Sequence, residues 1–84
     1  MKINIFGSTG VIGRKTLELI DCNSLDFKIN LICAKSNFKL LKKQIYKYKP
    51  KYAFLYDLYK FPRINYKIDK TKILNHEELL SYLL

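Results

Sequence analysis

Three glycines in seven residues, Gly7-Ser8-Thr9-Gly10-Val11-Ile12-Gly13, follow directly on the largely apolar run Ile3-Asn4-Ile5-Phe6. A short strand that feeds a glycine turn and then a helix is how a chain builds a pyrophosphate site. Gly7 permits the tight turn off the strand, Gly10 leaves room for a close backbone approach, and Gly13 lets the helix pack closely. The first turn of the helix then offers unpaired N–H groups and a partial positive charge. Ser8 and Thr9 are expected to add hydroxyl donors. The spacing is GxxGxxG, not the commoner GxGxxG. The alternative is a glycine turn that binds nothing.

The chain has 84 residues. That allows one domain at most, and a domain of this size buries only about 60% of its unfolded surface. Two readings follow: a small complete α/β domain, or the front part of a longer enzyme, of which the second is favoured. The formal charge is +9, which by itself suggests an anionic partner such as nucleic acid. However, Phe, Tyr, Met, Ile, Asn and Lys make up 43 of the 84 residues, and Lys outnumbers Arg 14 to 2. These residues have AT-rich codons and the lysines are scattered, so no nucleic-acid partner is expected. Cys22 and Cys33 form no CxxC pair, and His76 is the sole histidine. Metal or disulfide use is not expected, and Cys33, in an apolar run, reads as a buried thiol. There is no signal peptide pattern and no 18-residue apolar span, so neither secretion nor a membrane partner is expected.

Along the chain, residues 2–6 read as a strand buried on both faces. Residues 12–20 read as a helix with a stripe of Gly13, Thr16, Leu17 and Ile20, ended by the turn chemistry of Asp21-Cys22-Asn23-Ser24. Residues 27–33 alternate and then become wholly apolar, as in a second strand that runs from solvent into a core. Ser36 or Asn37 is placed to cap a helix over 38–48, whose inner face carries Leu40, Leu41, Ile45 and Tyr48. Lys49-Pro50 stops that helix. Residues 51–56 form a third strand. The signal weakens from Leu58 to Asp69, which includes Pro62. Residues 72–74 suggest a short fourth strand, and Asn75 caps a last helix over 76–84, with Glu77 and Glu78 in its first turn. The order β-α-β-α-β with short connections predicts an incomplete Rossmann-type, doubly wound parallel sheet. Its third-strand side is expected to expose apolar surface.

The end of the second strand bears on cofactor choice. A domain selective for NAD places an acid there to hold the ribose 2′-hydroxyl. Cys33-Ala34-Lys35-Ser36-Asn37 has none. Lys35, Ser36 and Asn37 favour a 2′-phosphate, hence NADPH, although Lys35 is also one of 14 lysines and could simply be solvated. No catalytic residue is found. His76 reads as a surface residue at a helix start. Tyr52 to Tyr56 with Lys60 is not a Tyr-xxx-Lys acid–base pair, because it spans a strand end and a loop.

Several segments together resemble the 1-deoxy-D-xylulose 5-phosphate reductoisomerase family. The turn at 7–13 looks like that family's GSTGSIG. Asp26-Phe27, Ala34, Asn37, Leu40-Leu41 and Gln44 fit in order, and Lys49-Pro50-Lys51-Tyr52-Ala53 is similar to its entry to the third strand. The resemblance covers about residues 1–57 well and the rest loosely. It implies that residues 1–84 are the front of an NADPH-binding domain, without the catalytic and C-terminal domains. It implies cofactor binding by Gly7, Ser8, Thr9, Gly10, Val11, Ile12 and Gly13, with Lys35, Ser36 and Asn37 around the adenosine ribose phosphate. In such a family the complete enzyme uses NADPH and a divalent metal, Mg or Mn. It converts 1-deoxy-D-xylulose 5-phosphate to 2-C-methyl-D-erythritol 4-phosphate for isoprenoid synthesis, usually as a homodimer, in the cytoplasm or a plastid-like organelle. Val11 stands where the family has serine, Lys35 where it has glycine, and Ser36 where it has a basic residue. The metal and substrate residues of the family lie downstream of these positions, so this chain alone is expected to be inactive, with a possible downstream companion chain. The alternatives are a non-catalytic nucleotide-binding module, a gene relic, or the front of another GxxGxxG reductase such as an aspartate-semialdehyde type. The Lys49–Ala53 segment argues against the last.

Overall fold

The apolar run before the glycines pairs as a strand, and the chain after them coils at once. In the computed structural model, which describes residues 2–22, 28–61 and 66–84, these elements are β1 (Lys2–Phe6) and α1 (Val11–Cys22). There follow β2 (Lys28–Ala34), α2 (Phe38–Tyr48), β3 (Tyr52–Leu55), a 3-10 turn at Leu58–Lys60, β4 (Lys67–Ile68), β5 (Thr71–Leu74) and α3 (His76–Leu83). The Asn23-Ser24 part of the expected turn, the Asp26-Phe27 pair and Pro62 lie outside the described residues.

The strands make one five-stranded sheet in the order β1-β2-β3-β5-β4. All pairs are parallel except β4 with β5. This is the expected Rossmann-type α/β architecture, with one addition. The stretch that lacked a clear period supplies an antiparallel strand, β4, joined to β5 by the two-residue turn Asp69-Lys70, in which Asp69 takes a positive φ of 55°. Two residues of strand are too few to show a period in sequence.

Helices cover both faces. On one, Leu17 of α1 with Leu41 and Ile45 of α2 pack on Ile5, Ile29, Ile32, Ala53, Leu55 and Ile73. On the other, Leu79 and Tyr82 of α3 pack on Leu31, Cys33, Phe54 and Leu74. Of the stripes expected on α1 and α2, Gly13, Leu17, Leu41 and Ile45 are buried and Thr16, Ile20, Leu40 and Tyr48 half-buried, with Gln44 set into the second. At the end of α2, Lys49 enters the left-handed region (φ 50°, ψ 53°) and its N–H bonds to the Ile45 carbonyl at 3.0 Å. The helix thus stops at Lys49-Pro50 as expected, closed by a left-handed cap.

A bulge explains the odd pattern of β2. Ile3 pairs with Ile29 but Asn4 pairs with Leu31, so Asn30 is an extra residue. An extra residue turns the strand over at that point. Ile29 faces α1 and α2, whereas Leu31 faces α3.

The third strand is not itself an edge of the sheet. Beyond β3 lies β5, hydrogen-bonded in parallel register. The two edge strands are β1 and the two-residue β4, and Phe6, Val11 and Ile12 beside β1 are exposed. Among the described residues no helix is long and apolar enough to cross a membrane.

Candidate functional site

All the residues singled out for cofactor binding lie at the carboxyl ends of the parallel strands. The glycine turn leaves β1 and the segment Lys35-Ser36-Asn37 leaves the neighbouring β2. Backbone bonds tie these ends together. Ser8 N–H donates to the Cys33 carbonyl (2.8 Å), Tyr56 N–H to Ala34 (2.8 Å) and Asp57 N–H to Lys35 (2.8 Å). The crevice at the carboxyl edge is where open α/β sheets bind ligands.

The turn itself is closed by the Gly10 N–H, which donates to the Gly7 carbonyl at 3.0 Å. Gly7 has a φ of 71°, in the region that side chains disfavour. Gly13 is required for a different reason: a Cβ there would lie 2.1 Å from the Gly7 oxygen and 2.8 Å from the Ser8 Cα. At Gly10 a Cβ would stand 3.3 Å from the same oxygen. The start of α1 therefore sits directly on the turn.

That packing leaves a row of donors. Arg14 N–H is bonded to the Gly10 carbonyl at 3.0 Å, but the N–H groups of Thr9, Val11, Ile12 and Gly13 find no acceptor among the described residues. Four open N–H groups at a helix start make an anion cradle. An open groove of about 510 Å³ runs past it, lined in part by Phe6, Gly7, Gly10, Val11, Ile12 and Gly13.

Ser8 departs from its expected part. It is fully buried and its hydroxyl has no hydrogen-bond partner. Its N–H is taken by Cys33, and its carbonyl accepts from Gln44 Nε2 at 2.7 Å. Ser8 is therefore a buried anchor of the turn; Thr9, half-buried, is the hydroxyl nearer solvent. Gln44 is the supporting residue that a reading of charge and glycines passes over. Its signal in the sequence is an amide in an apolar stripe, three residues after Leu41 and four before Tyr48.

In the second segment Lys35, Ser36 and Asn37 are all exposed. Asn37 is the cap of α2: its Oδ1 accepts from Leu40 N–H at 3.1 Å, which leaves its amide NH2 for other partners. Asp57, at the end of β3, is buried and pairs with Lys60 at 3.4 Å. The Lys60 ammonium also lies over the Tyr59 ring, 6.0 Å from its centroid. Cys33 is buried beneath the site, and burial pushes its thiol up to about 12. His76 is exposed at the start of α3, with its ring edge-on to Phe54 and Tyr56. A depression of about 840 Å³ lies at the opposite end of the sheet, and its lining includes Lys2, Lys28, Lys47 and Lys49. Cations there complement the negative ends of α1 and α2.

Comparison with known proteins agrees with this geometry. The family model described as 1-deoxy-D-xylulose 5-phosphate reductoisomerase matches residues 3–82. Curated relatives bearing that name include one from Lachnoclostridium phytofermentans, 35% identical over 84% of this chain and 18% of the relative. One from Thermodesulfovibrio yellowstonii is 34% identical over 92% of this chain and 20% of the relative. One from Clostridium botulinum is 36% identical over 96% of this chain and 22% of the relative. The chain thus spans about a fifth of the length of the curated relatives it matches. It belongs to the 1-deoxy-D-xylulose 5-phosphate reductoisomerase family.

Proposed function

We propose, from that family membership, that residues 1–84 are the NADPH-binding front of a reductoisomerase acting on 1-deoxy-D-xylulose 5-phosphate. The observation that supports the reading most directly is the row of open N–H groups at Thr9, Val11, Ile12 and Gly13, at the carboxyl edge of a parallel sheet. These donors fit a dinucleotide diphosphate, and Gly10, having no side chain, leaves the approach clear. Val11, in place of a serine, keeps the backbone donor. Lys35, Ser36 and the free amide of Asn37 meet the adenosine ribose phosphate. NADPH, when bound, supplies a hydride. The chain's own residues bind it, orient it and cover one side of it with Phe6, Val11 and Ile12. With Lys35 at its end, β2 offers no carboxylate to repel a 2′-phosphate.

In this reading the complete protein converts 1-deoxy-D-xylulose 5-phosphate to 2-C-methyl-D-erythritol 4-phosphate in isoprenoid synthesis, with a divalent metal, as a homodimer, in the cytoplasm or a plastid-like organelle. Among the described residues no three His, Cys, Asp or Glu side chains come together to hold a metal ion. The described residues therefore do not fit that group, and the metal and substrate chemistry belongs to the remaining four-fifths of a family member's length. The family match also favours this reading over the front of another GxxGxxG reductase.

Fluorescence titration of the purified chain with NADPH and NADH tests the cofactor. The expected result is binding of NADPH in preference to NADH, with the preference reduced in Lys35→Ala. Binding of neither nucleotide would sink the proposal.

A further inference from the structure

Gln44 occupies a position that apolar residues would fill more cheaply. It lies on the inner face of α2 between Leu41 and Ile45, is 5% exposed, and has an Oε1 with no partner. A buried amide is unfavourable unless its hydrogen bonds are made. Among the described residues its side chain bonds to the glycine turn, 36 residues away in sequence, where Nε2 donates to the Ser8 carbonyl at 2.7 Å.

The direction of that bond matters. Gly7, Ser8, Thr9 and Gly10 form a four-residue turn closed by the Gly10 N–H on the Gly7 carbonyl. Its central peptide unit is Ser8 C=O with Thr9 N–H. In a trans peptide these two groups point in opposite directions, and no cis peptide is found among the described residues. Gln44 draws the Ser8 oxygen inward, so Thr9 N–H points outward, where no described residue accepts from it. The central peptide is also the part of such a turn that can rotate by half a turn while the closing bond survives. The rotated form needs a positive φ at the third position, and Thr9, being β-branched, resists it. Against this, a buried Ser8 carbonyl deprived of Gln44 gains a partner by rotating toward solvent.

We infer that Gln44 is a positioning residue for the dinucleotide site: it holds the Ser8 carbonyl inward, and so keeps Thr9 N–H in line with the open donors of Val11, Ile12 and Gly13. Rotation of this peptide would put a carbonyl oxygen where a diphosphate oxygen should rest. The inference relies on the cofactor reading above, so its test has one arm that does not.

Gln44→Met keeps the size and loses the donor. The purified variant, the wild type and Ile45→Val are compared by NADPH titration, by melting temperature and by the Thr9 amide signal in 15N spectra without ligand. The expected outcome is about a tenfold loss of NADPH affinity in Gln44→Met with a shifted Thr9 amide. Ile45→Val, destabilised by lost packing, keeps both affinity and amide position. Gln44→Glu, which keeps the shape but turns an oxygen toward the Ser8 carbonyl, serves if the methionine variant does not fold, with the same loss expected. Unchanged affinity and an unchanged Thr9 amide in the folded variant would overturn the inference. If the wild type itself fails to bind NADPH, the functional reading falls. The ligand-free Thr9 amide then decides the geometry alone: shifted supports the role of Gln44, unshifted removes it.

Discussion

Gly7 and Gly13 both serve the turn, but for different reasons that a substitution separates. A Cβ on Gly13 meets backbone at 2.1 Å, and backbone at a strand end cannot move aside without breaking the turn. Ala is the better helix former by about 1 kcal/mol, yet the clash outweighs this, and Gly13→Ala is expected to lose about 3 kcal/mol or more. At Gly7 nothing lies within 4 Å of the added carbon and only the φ of 71° resists it. Gly7→Ala is therefore expected to lose only about 1–2 kcal/mol. Urea unfolding of the two variants checks the order; equal losses would show that the close packing of α1 on the turn is wrong. Glycine spacing was legible from the sequence. The buried state of Ser8 was not, because it depends on Gln44, which arrives from another helix.

At the scale of elements, α3 is the helix whose stability is most clearly set by its ends. Asn75 and Glu78 form a reciprocal cap: Asn75 Oδ1 accepts from Glu78 N–H at 2.8 Å, and Glu78 Oε1 accepts from Asn75 N–H at 3.1 Å. No residue of α3 is fully buried, so packing compensates poorly for a lost cap. Asn75→Ala is expected to reduce stability by about 1 kcal/mol, read from the urea midpoint. The Lys72 ammonium, 2.7 Å from Glu78, followed by the Asn75 N–H, holds the Glu78 carboxyl below its usual range. The stabilisation is therefore present above the ordinary glutamate range and is lost as pH falls through the lowered value. Lys72 is raised by the same partner, so its share is present at neutral pH and lost only as pH rises through that raised value. Lys72 is exposed and Glu78 only half-buried, so salt screens the pair and the effect is small. Helicity should decline in acid in the wild type and change less in Glu78→Gln. An identical acid profile would remove the carboxylate from the account. The capping sequence Asn-x-x-Glu was visible as a helix start; its link to Lys72 on β5 needed the fold.

Over the whole molecule, one tyrosine joins the last helix to the first strand. Tyr82 OH donates to Asn4 Oδ1 of β1 at 3.0 Å and accepts from the Asn30 amide of β2. Its ring stands edge-on to Tyr52 of β3, 5.3 Å between centroids. One side chain thus touches three adjacent strands, and Asn30 reaches it because the β2 bulge supplies an extra residue. Tyr82→Phe retains the ring packing and removes both hydroxyl bonds. A loss of about 1–2 kcal/mol in urea unfolding is expected; no loss would mean that the ring alone holds α3. α1 and α2 cover one face and α3 the other, where Tyr82 ties α3 to β1, one of the two edge strands.

The sequence by itself determined the order of the main elements, the parallel character of the sheet and the place of the glycine turn. These depend on local propensity and on periods of about 3.6 and 2 residues, which neighbouring residues carry. It also determined family, because the motifs at 7–13 and 49–53 occur in order and at a distinctive spacing. The tertiary structure alone decided the rest. It showed that Ser8 faces inward, that Gln44 supports the turn, and that Asn30 is a bulge. It also placed β1 and β4, not β3, at the edges of the sheet. Each of these depends on which groups meet across distances of 20 to 80 residues in sequence, where no local period leaves a trace. In the glycine turn the two levels meet: sequence placed three glycines at a strand end, and packing against α1 and α2 decided which N–H groups remain open.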